Sequence, residues 1–136
     1  MGWNTAVKQK PTEQFWRPTI VPYNVDWAHT VFLDYETFWD TDYTLSKMST
    51  SEYVRDPRFK AHMVGIKIGT RKTKVVPAKS IRAELRKIDW AQHDLVCHNN
   101  AFDGFILSHH HGVVPRFYYC TLSMARLMLG NHIPVS

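Results

Sequence analysis

Thr30-Val31-Phe32-Leu33-Asp34-Tyr35-Glu36-Thr37 is the stretch on which the fold turns. A β-branched and apolar run leads into a pair of acids, the pattern of a buried strand that ends in carboxylates. The two-residue period of a strand puts Asp34 and Glu36 on one face and turns Tyr35 to the other. Two carboxylates so close either repel or raise a pKa, and a hard divalent cation such as Mg²⁺, which takes oxygen ligands, removes that cost. An Asp-x-Glu pair is equally a pattern of plain surface charge, so this stretch alone leaves both readings open.

The second informative stretch is Leu95-Val96-Cys97-His98, a further strand that runs into Asn99-Asn100-Ala101-Phe102-Asp103-Gly104. Ligands gather at strand ends and the loops beyond them in α/β sheets, so Asp103 can meet Asp34 and Glu36 across neighbouring strands. The simpler reading makes Asp103 an acid favoured by a helix dipole, with Asn99 or Asn100 as the cap.

Between these stretches, Met63 to Gly69 and Thr73 to Pro77 flank Thr70-Arg71-Lys72, a hairpin signal with basic turn residues. Those cations either solvate the hairpin or touch a nucleic-acid backbone. Ser80 precedes Ile81, Leu85 and Ile88 at helical spacing, which predicts a capped amphipathic helix. Residues Ala101 to His111 predict a helix stopped by Gly112 and Pro115, and Thr121 to Leu129 predict a last one ended by Gly130. The order strand, hairpin, helix, strand, helix, helix is that of an α/β domain with a mixed sheet. His109, His110 and His111 cannot all face one ion from a helix and read as solvated side chains. Asp40 and Asp42 follow the first acids with nothing in the sequence to fix their geometry.

Composition bounds the possibilities. The 136 residues suit one compact domain with a real core, and 44% hydrophobic with 21% charged residues is a globular balance. A formal charge of +5 favours an anionic partner such as nucleic acid. Cys97 and Cys120 suggest neither a disulfide framework nor a zinc site. No apolar run approaches the ~20 residues needed to span a bilayer, and residues 1 to 10 lack a signal-peptide core, so the sequence reads as soluble and cytoplasmic. Residues 1–29 mix aromatic and basic side chains with three prolines and read as an irregular extension, packed on the domain edge or serving as a nucleic-acid-contacting arm. The folded α/β domain is expected over 30–136.

Leu33-Asp34-Tyr35-Glu36-Thr37 and Asn99-Asn100-Ala101-Phe102-Asp103 resemble the first and second motifs of DnaQ-like (DEDD) 3′-to-5′ exonucleases. The spacer resembles the same domain in phage family A DNA polymerases, through Tyr43 to Thr50 and Tyr53 to Phe59, as does Cys120 to Arg126 after the second motif. The resemblance covers about Thr30 to Gly130. It implies an RNase H-like mixed sheet flanked by helices, and two Mg²⁺ or Mn²⁺ ions held by Asp34, Glu36 and Asp103, with Glu36 orienting the attacking water. It also implies proofreading hydrolysis of the 3′-terminal phosphodiester of single-stranded or frayed DNA, in the host cytoplasm if the chain is phage-encoded. Thr37, Phe38, Asn99 and Phe102 would contact the substrate, with Phe38, Trp39 and Phe102 as stacking candidates, although Phe102 also suits the core.

The same family carries a fourth Asp, four residues after a Tyr or His on a late helix, and nothing after Gly130 matches it. The resemblance therefore implies a domain whose C-terminal part is missing, with a downstream polymerase segment as partner. A non-catalytic nucleic-acid-binding or docking fragment, and a free-standing nuclease acting on RNA, are the alternatives.

Overall fold

The computed structural model describes residues 26–130. Five strands form one mixed sheet in the order β3-β2-β1-β4-β5. They are β1 (Thr30–Thr37), β2 (Ala61–Ile68), β3 (Lys74–Pro77), β4 (Asp94–Cys97) and β5 (Phe117–Cys120). The helices are α1 (Thr50–Arg55), α2 (Ile81–Leu85), α3 (Asp103–His111) and α4 (Thr121–Leu129). Strand β2 runs antiparallel to both β1 and β3, whereas β4 lies parallel to β1 and β5 parallel to β4.

The alternation in β1 sorts the sheet into two faces. Val31, Leu33 and Tyr35 are buried, and Asp34 and Glu36 are exposed on the opposite face. The buried set meets Val64 and Ile66 of β2, Leu95 and Cys97 of β4, Tyr53 and Val54 of α1, Ile81 and Leu85 of α2, and Ile106 and Leu107 of α3 in one core. Burying side chains of this size contributes about 1.5–3 kcal/mol each, so this layer fixes which face of β1 points inward.

Two elements were not foreseen. Helix α1 begins at Ser49, whose hydroxyl accepts from the Glu52 backbone N–H while the Glu52 carboxylate accepts from the Ser49 N–H, a complete capping box. Strand β5 is a four-residue strand that pairs, among the described residues, with β4 alone. The expected cap at Ser80 is corrected: Ser80 closes a 3₁₀ turn over Ala78–Ser80, its backbone is helical (φ −107°, ψ −8°), and its side chain makes no capping bond. A cap residue needs extended backbone, which the preceding turn denies it. Nor does an Asn cap α3, which begins at Asp103 without a side-chain cap.

The histidines at the end of α3 are corrected as well. His110 Nε2–H donates to the Val54 carbonyl (2.8 Å) and its ring stacks on Phe59 at 4.3 Å, and His111 lies parallel to Tyr35 at 6.1 Å. Helix α3 lies against both β1 and α1, so only His109 remains in solvent. Of the extension expected over 1–29, residues 1–25 lie outside the described residues. Within the described residues no helix is long and apolar enough to cross a membrane.

Candidate active site

Strands β1 and β4 pair only from Thr30↔Asp94 to Phe32↔Val96 and then part. Beyond that point the backbone N–H groups of β1 on this side have lost their strand partner. An unpaired N–H is expensive in a partly buried place, and Asp103 supplies the acceptor: its Oδ1 takes the Tyr35 N–H at 2.9 Å. Asp103 is thereby set beside the one residue that separates Asp34 from Glu36 in β1.

The turn that delivers Asp103 is built by the Asn99 carbonyl, which accepts the N–H groups of Phe102 (2.9 Å) and Asp103 (3.1 Å). Asn99 therefore works here through its backbone. The Asn100 Oδ1 is buried and has no hydrogen-bond partner among the described residues. Gly104 lets the start of α3 come close to β5, because a Cβ there would stand 3.3 Å from Asn100 Oδ1 and 3.4 Å from the Tyr118 ring.

The electrostatics follow from this placement. Asp103 is only 5% exposed, and burial pushes its carboxyl up to about 6. The Tyr35 N–H works against that rise, and the charges of Asp34 and Glu36 add to it. The three acids thus feel one another, the condition under which a cation is most strongly favoured. Their hard oxygen donors suit Mg²⁺ or Mn²⁺. Yet no three His, Cys, Asp or Glu side chains among the described residues stand close enough to enclose an ion. The donor chemistry fits the cation, and the cage is open.

Around Asp34 the sheet face is concave. A cleft of about 470 Å³ is lined by Phe32, Asp34, Gly65, Lys67, His98 and Thr121, among others. Gly65 pairs directly with Asp34 across β1 and β2, so β2 presents no side chain at the position opposite the carboxylate. The strands slip register between Glu36 and Thr37, an irregularity that turns the strand end at the acids.

The remaining expected site residues have mixed surroundings. Thr37 Oγ1 is bonded to the Tyr53 hydroxyl at 2.9 Å. Phe38 and Phe102 pack partly buried against the core, Phe38 on Tyr43 and Phe102 on Tyr53. Trp39 is 70% exposed. Asp40 has a fixed geometry after all: its Oδ1 accepts the N–H groups of Asp42 (2.8 Å) and Tyr43 (2.7 Å), which lowers its pKa. Asp42 pairs with Lys47 at 3.0 Å. Both acids are occupied by the local turn, away from any shared ion.

What the sequence did not reveal is the Tyr35 N–H and the Lys67–Gly65 side of the cleft. Strand alternation from Asp34 to the opposite residues of β2 would have found Lys67 had the register been known.

No protein-family model matches the sequence, and no curated protein matches it. Among solved structures, Brucella melitensis NrnC superposes with a TM-score of 0.52 at 19% sequence identity, over 82% of this chain and 48% of that one. The chain spans about half the length of that neighbour. Likeness at this identity speaks for the fold alone: this is an α/β domain, a mixed five-stranded sheet flanked by helices, with a fold similar to that neighbour's.

Proposed function

We propose that the domain is the metal-binding portion of a 3′-to-5′ exonuclease that hydrolyses the terminal phosphodiester of single-stranded or frayed DNA. The observation that carries this reading is the seat of Asp103, bonded to the Tyr35 N–H between the two outward carboxylates of β1. The fold similar to that of NrnC supports it. Asp34, Glu36 and Asp103 would hold divalent Mg²⁺ or Mn²⁺, two ions in a complete site. Bound there, the ions would supply an activated water and charge stabilisation for the leaving 3′ oxygen.

This chain's own residues would do the rest. Glu36, exposed at the rim of the strand end, would accept a proton from water and aim it. The bond from Tyr35 keeps Asp103 from swinging away, and the bare Gly65 leaves room beside Asp34 for a phosphate. Because the described residues leave the cage open, a further carboxylate from a downstream polymerase segment would close it, as the resemblance to polymerase proofreading domains implies. The same openness favours a second reading, a nucleic-acid-binding piece without turnover of its own. A free-standing nuclease acting on RNA is compatible with the same acids.

A 3′-end-labelled digestion assay tests the reading. The chain alone should be nearly inactive, and addition of the downstream segment should restore Mg²⁺-dependent loss of the 3′ label. Loss of the second ion costs several kcal/mol of barrier, on the order of a thousandfold in rate. Asp34→Ala should abolish whatever activity exists. Digestion that survives Asp34→Ala contradicts the reading, and RNA digested in preference to DNA selects the free-standing alternative.

A further inference from the structure

The connection between β2 and β3 joins two clefts. On one side, Lys67 and Thr73 line the carboxylate-bearing cleft together with Asp34. On the other, Arg71, Lys72, Lys74 and Lys87 line a separate cleft of about 280 Å³ floored by Ile66, Ile68 and Ile88. The single carboxylate in that second cleft, Glu84, is already committed to Lys74 (2.7 Å) and Lys87 (2.6 Å). Arg71 and Lys72 are exposed, and neither forms an ion pair among the described residues. Thr73 faces the first cleft while its neighbours Lys72 and Lys74 face the second, so the turn is a saddle between the two.

The saddle is held in place. Gly69 adopts φ +55°, and a Cβ there would stand 2.6 Å from the Trp27 carbonyl oxygen. Its N–H donates to the Thr30 carbonyl at 2.8 Å, and the Arg71 N–H donates to Ile68 at 3.1 Å. Cations carried on a fixed turn, with no acid left to neutralise them, match a chain of phosphates better than a lone anion, which needs donors converging on one point. The carboxylate face beside the saddle would repel an anionic sheet such as a bilayer, whereas a single strand can pass along the ridge.

We infer that the β2–β3 turn, through Arg71 and Lys72, with Lys67 and Lys74 at its flanks, binds the phosphodiester backbone of a single-stranded polynucleotide a few nucleotides upstream of the end presented to Asp34. This rests on the exonuclease reading for the placement of the 3′ end. Gly65, opposite Asp34, is four residues from Gly69, about 13 Å along an extended strand. At about 3.4 Å per stacked nucleotide, that is a reach of about four nucleotides. Only strands longer than this should feel the turn.

The test measures binding without divalent ions, so it is separate from cleavage. Fluorescence anisotropy compares labelled single strands of about 4 and about 12 nucleotides, as DNA and as RNA, across a salt series. Arg71→Glu/Lys72→Glu should weaken the longer strand at least tenfold and reduce its salt slope by about 1.4, about 0.7 for each lost phosphate contact, and leave the shorter strand unchanged. The exposed turn positions and a circular-dichroism melt guard against misfolding, and Arg71→Gln/Lys72→Gln gives a milder loss in the same direction. Arg55→Glu/Arg126→Glu carries the same change in net charge elsewhere and should leave the long strand's advantage intact. Equal losses from the two pairs would make net charge the cause and overturn the proposal, as would equal losses on both strand lengths or none on either. If digestion proves independent of Asp34 while the length-dependent loss persists, the exonuclease reading fails and the backbone site stands.

Discussion

Asp103 and His111 are the first and last residues of α3, and burial moves them in opposite directions along the pH scale. Burial holds Asp103 up at about 6 against an ordinary 3.8, and desolvation holds His111 down at about 4 against an ordinary 6.5. A carboxyl with a raised pKa binds more protons folded than unfolded between about 4 and 6, so it makes the fold more stable as pH falls through that window. The histidine binds fewer protons folded, so its share of stability is lost as pH falls from 6.5 towards 4. In metal-free buffer the two slopes oppose each other. Asp103→Asn keeps an acceptor for the Tyr35 N–H and removes the first slope; it should gain up to about 3 kcal/mol over the unmodified chain at pH 8 and show a steeper loss on acidification. His111→Gln should do the reverse, growing more stable between pH 6.5 and 4. Thermal melts across that range decide the matter, and unchanged slopes in both variants would show that neither group is buried as described.

Local chemistry decides which elements the sequence discloses. The first strand, the hairpin, the strand before Asp103 and the two late helices were legible because each carries an uninterrupted period or a stop signal such as Gly112 or Gly130. Helix α1 was legible in principle, since Ser49 and Glu52 spell the capping box, but its six residues are too short to show an apolar stripe. Strand β5 had no such mark: four residues with exposed aromatics are made a strand by pairing with β4, a long-range fact. Asp34 and Glu36 stand out in the sequence as a pair and Asp103 as a single residue; the bond that ties Asp103 to β1 runs to the Tyr35 N–H, which no side-chain pattern encodes. Two element-level outcomes are expected. Ser49→Ala should destabilise the fold by about 1 kcal/mol through loss of the cap. Gly69→Ala should cost more, about 1–3 kcal/mol, because its φ of +55° and the 2.6 Å approach to Trp27 leave no room for a methyl group. Urea denaturation midpoints read both, and a neutral Gly69→Ala would show that the turn is not held as described.

Among the described residues, one sheet face is sealed by α1, α2 and α3 while the face bearing Asp34 and Glu36 stays open, and α4 keeps Leu127 (87%) and Met128 (84%) exposed. Substitutions at those two positions should leave stability within about 0.5 kcal/mol, so Leu127→Lys/Met128→Lys is expected to alter self-association seen by analytical ultracentrifugation without shifting the melt. The open face is where the account stands or falls, because it requires Asp34, Glu36 and Asp103 to act on one cation. Mn²⁺ titration followed by electron paramagnetic resonance measures that without substrate or a downstream segment. Binding by the unmodified chain should weaken at least about tenfold, about 1.4 kcal/mol, in Asp34→Ala and again in Asp103→Asn, with the double variant losing less than the sum because the two share an ion. Mn²⁺ affinity unmoved by either substitution, or losses that simply add as for independent sites, would contradict the account.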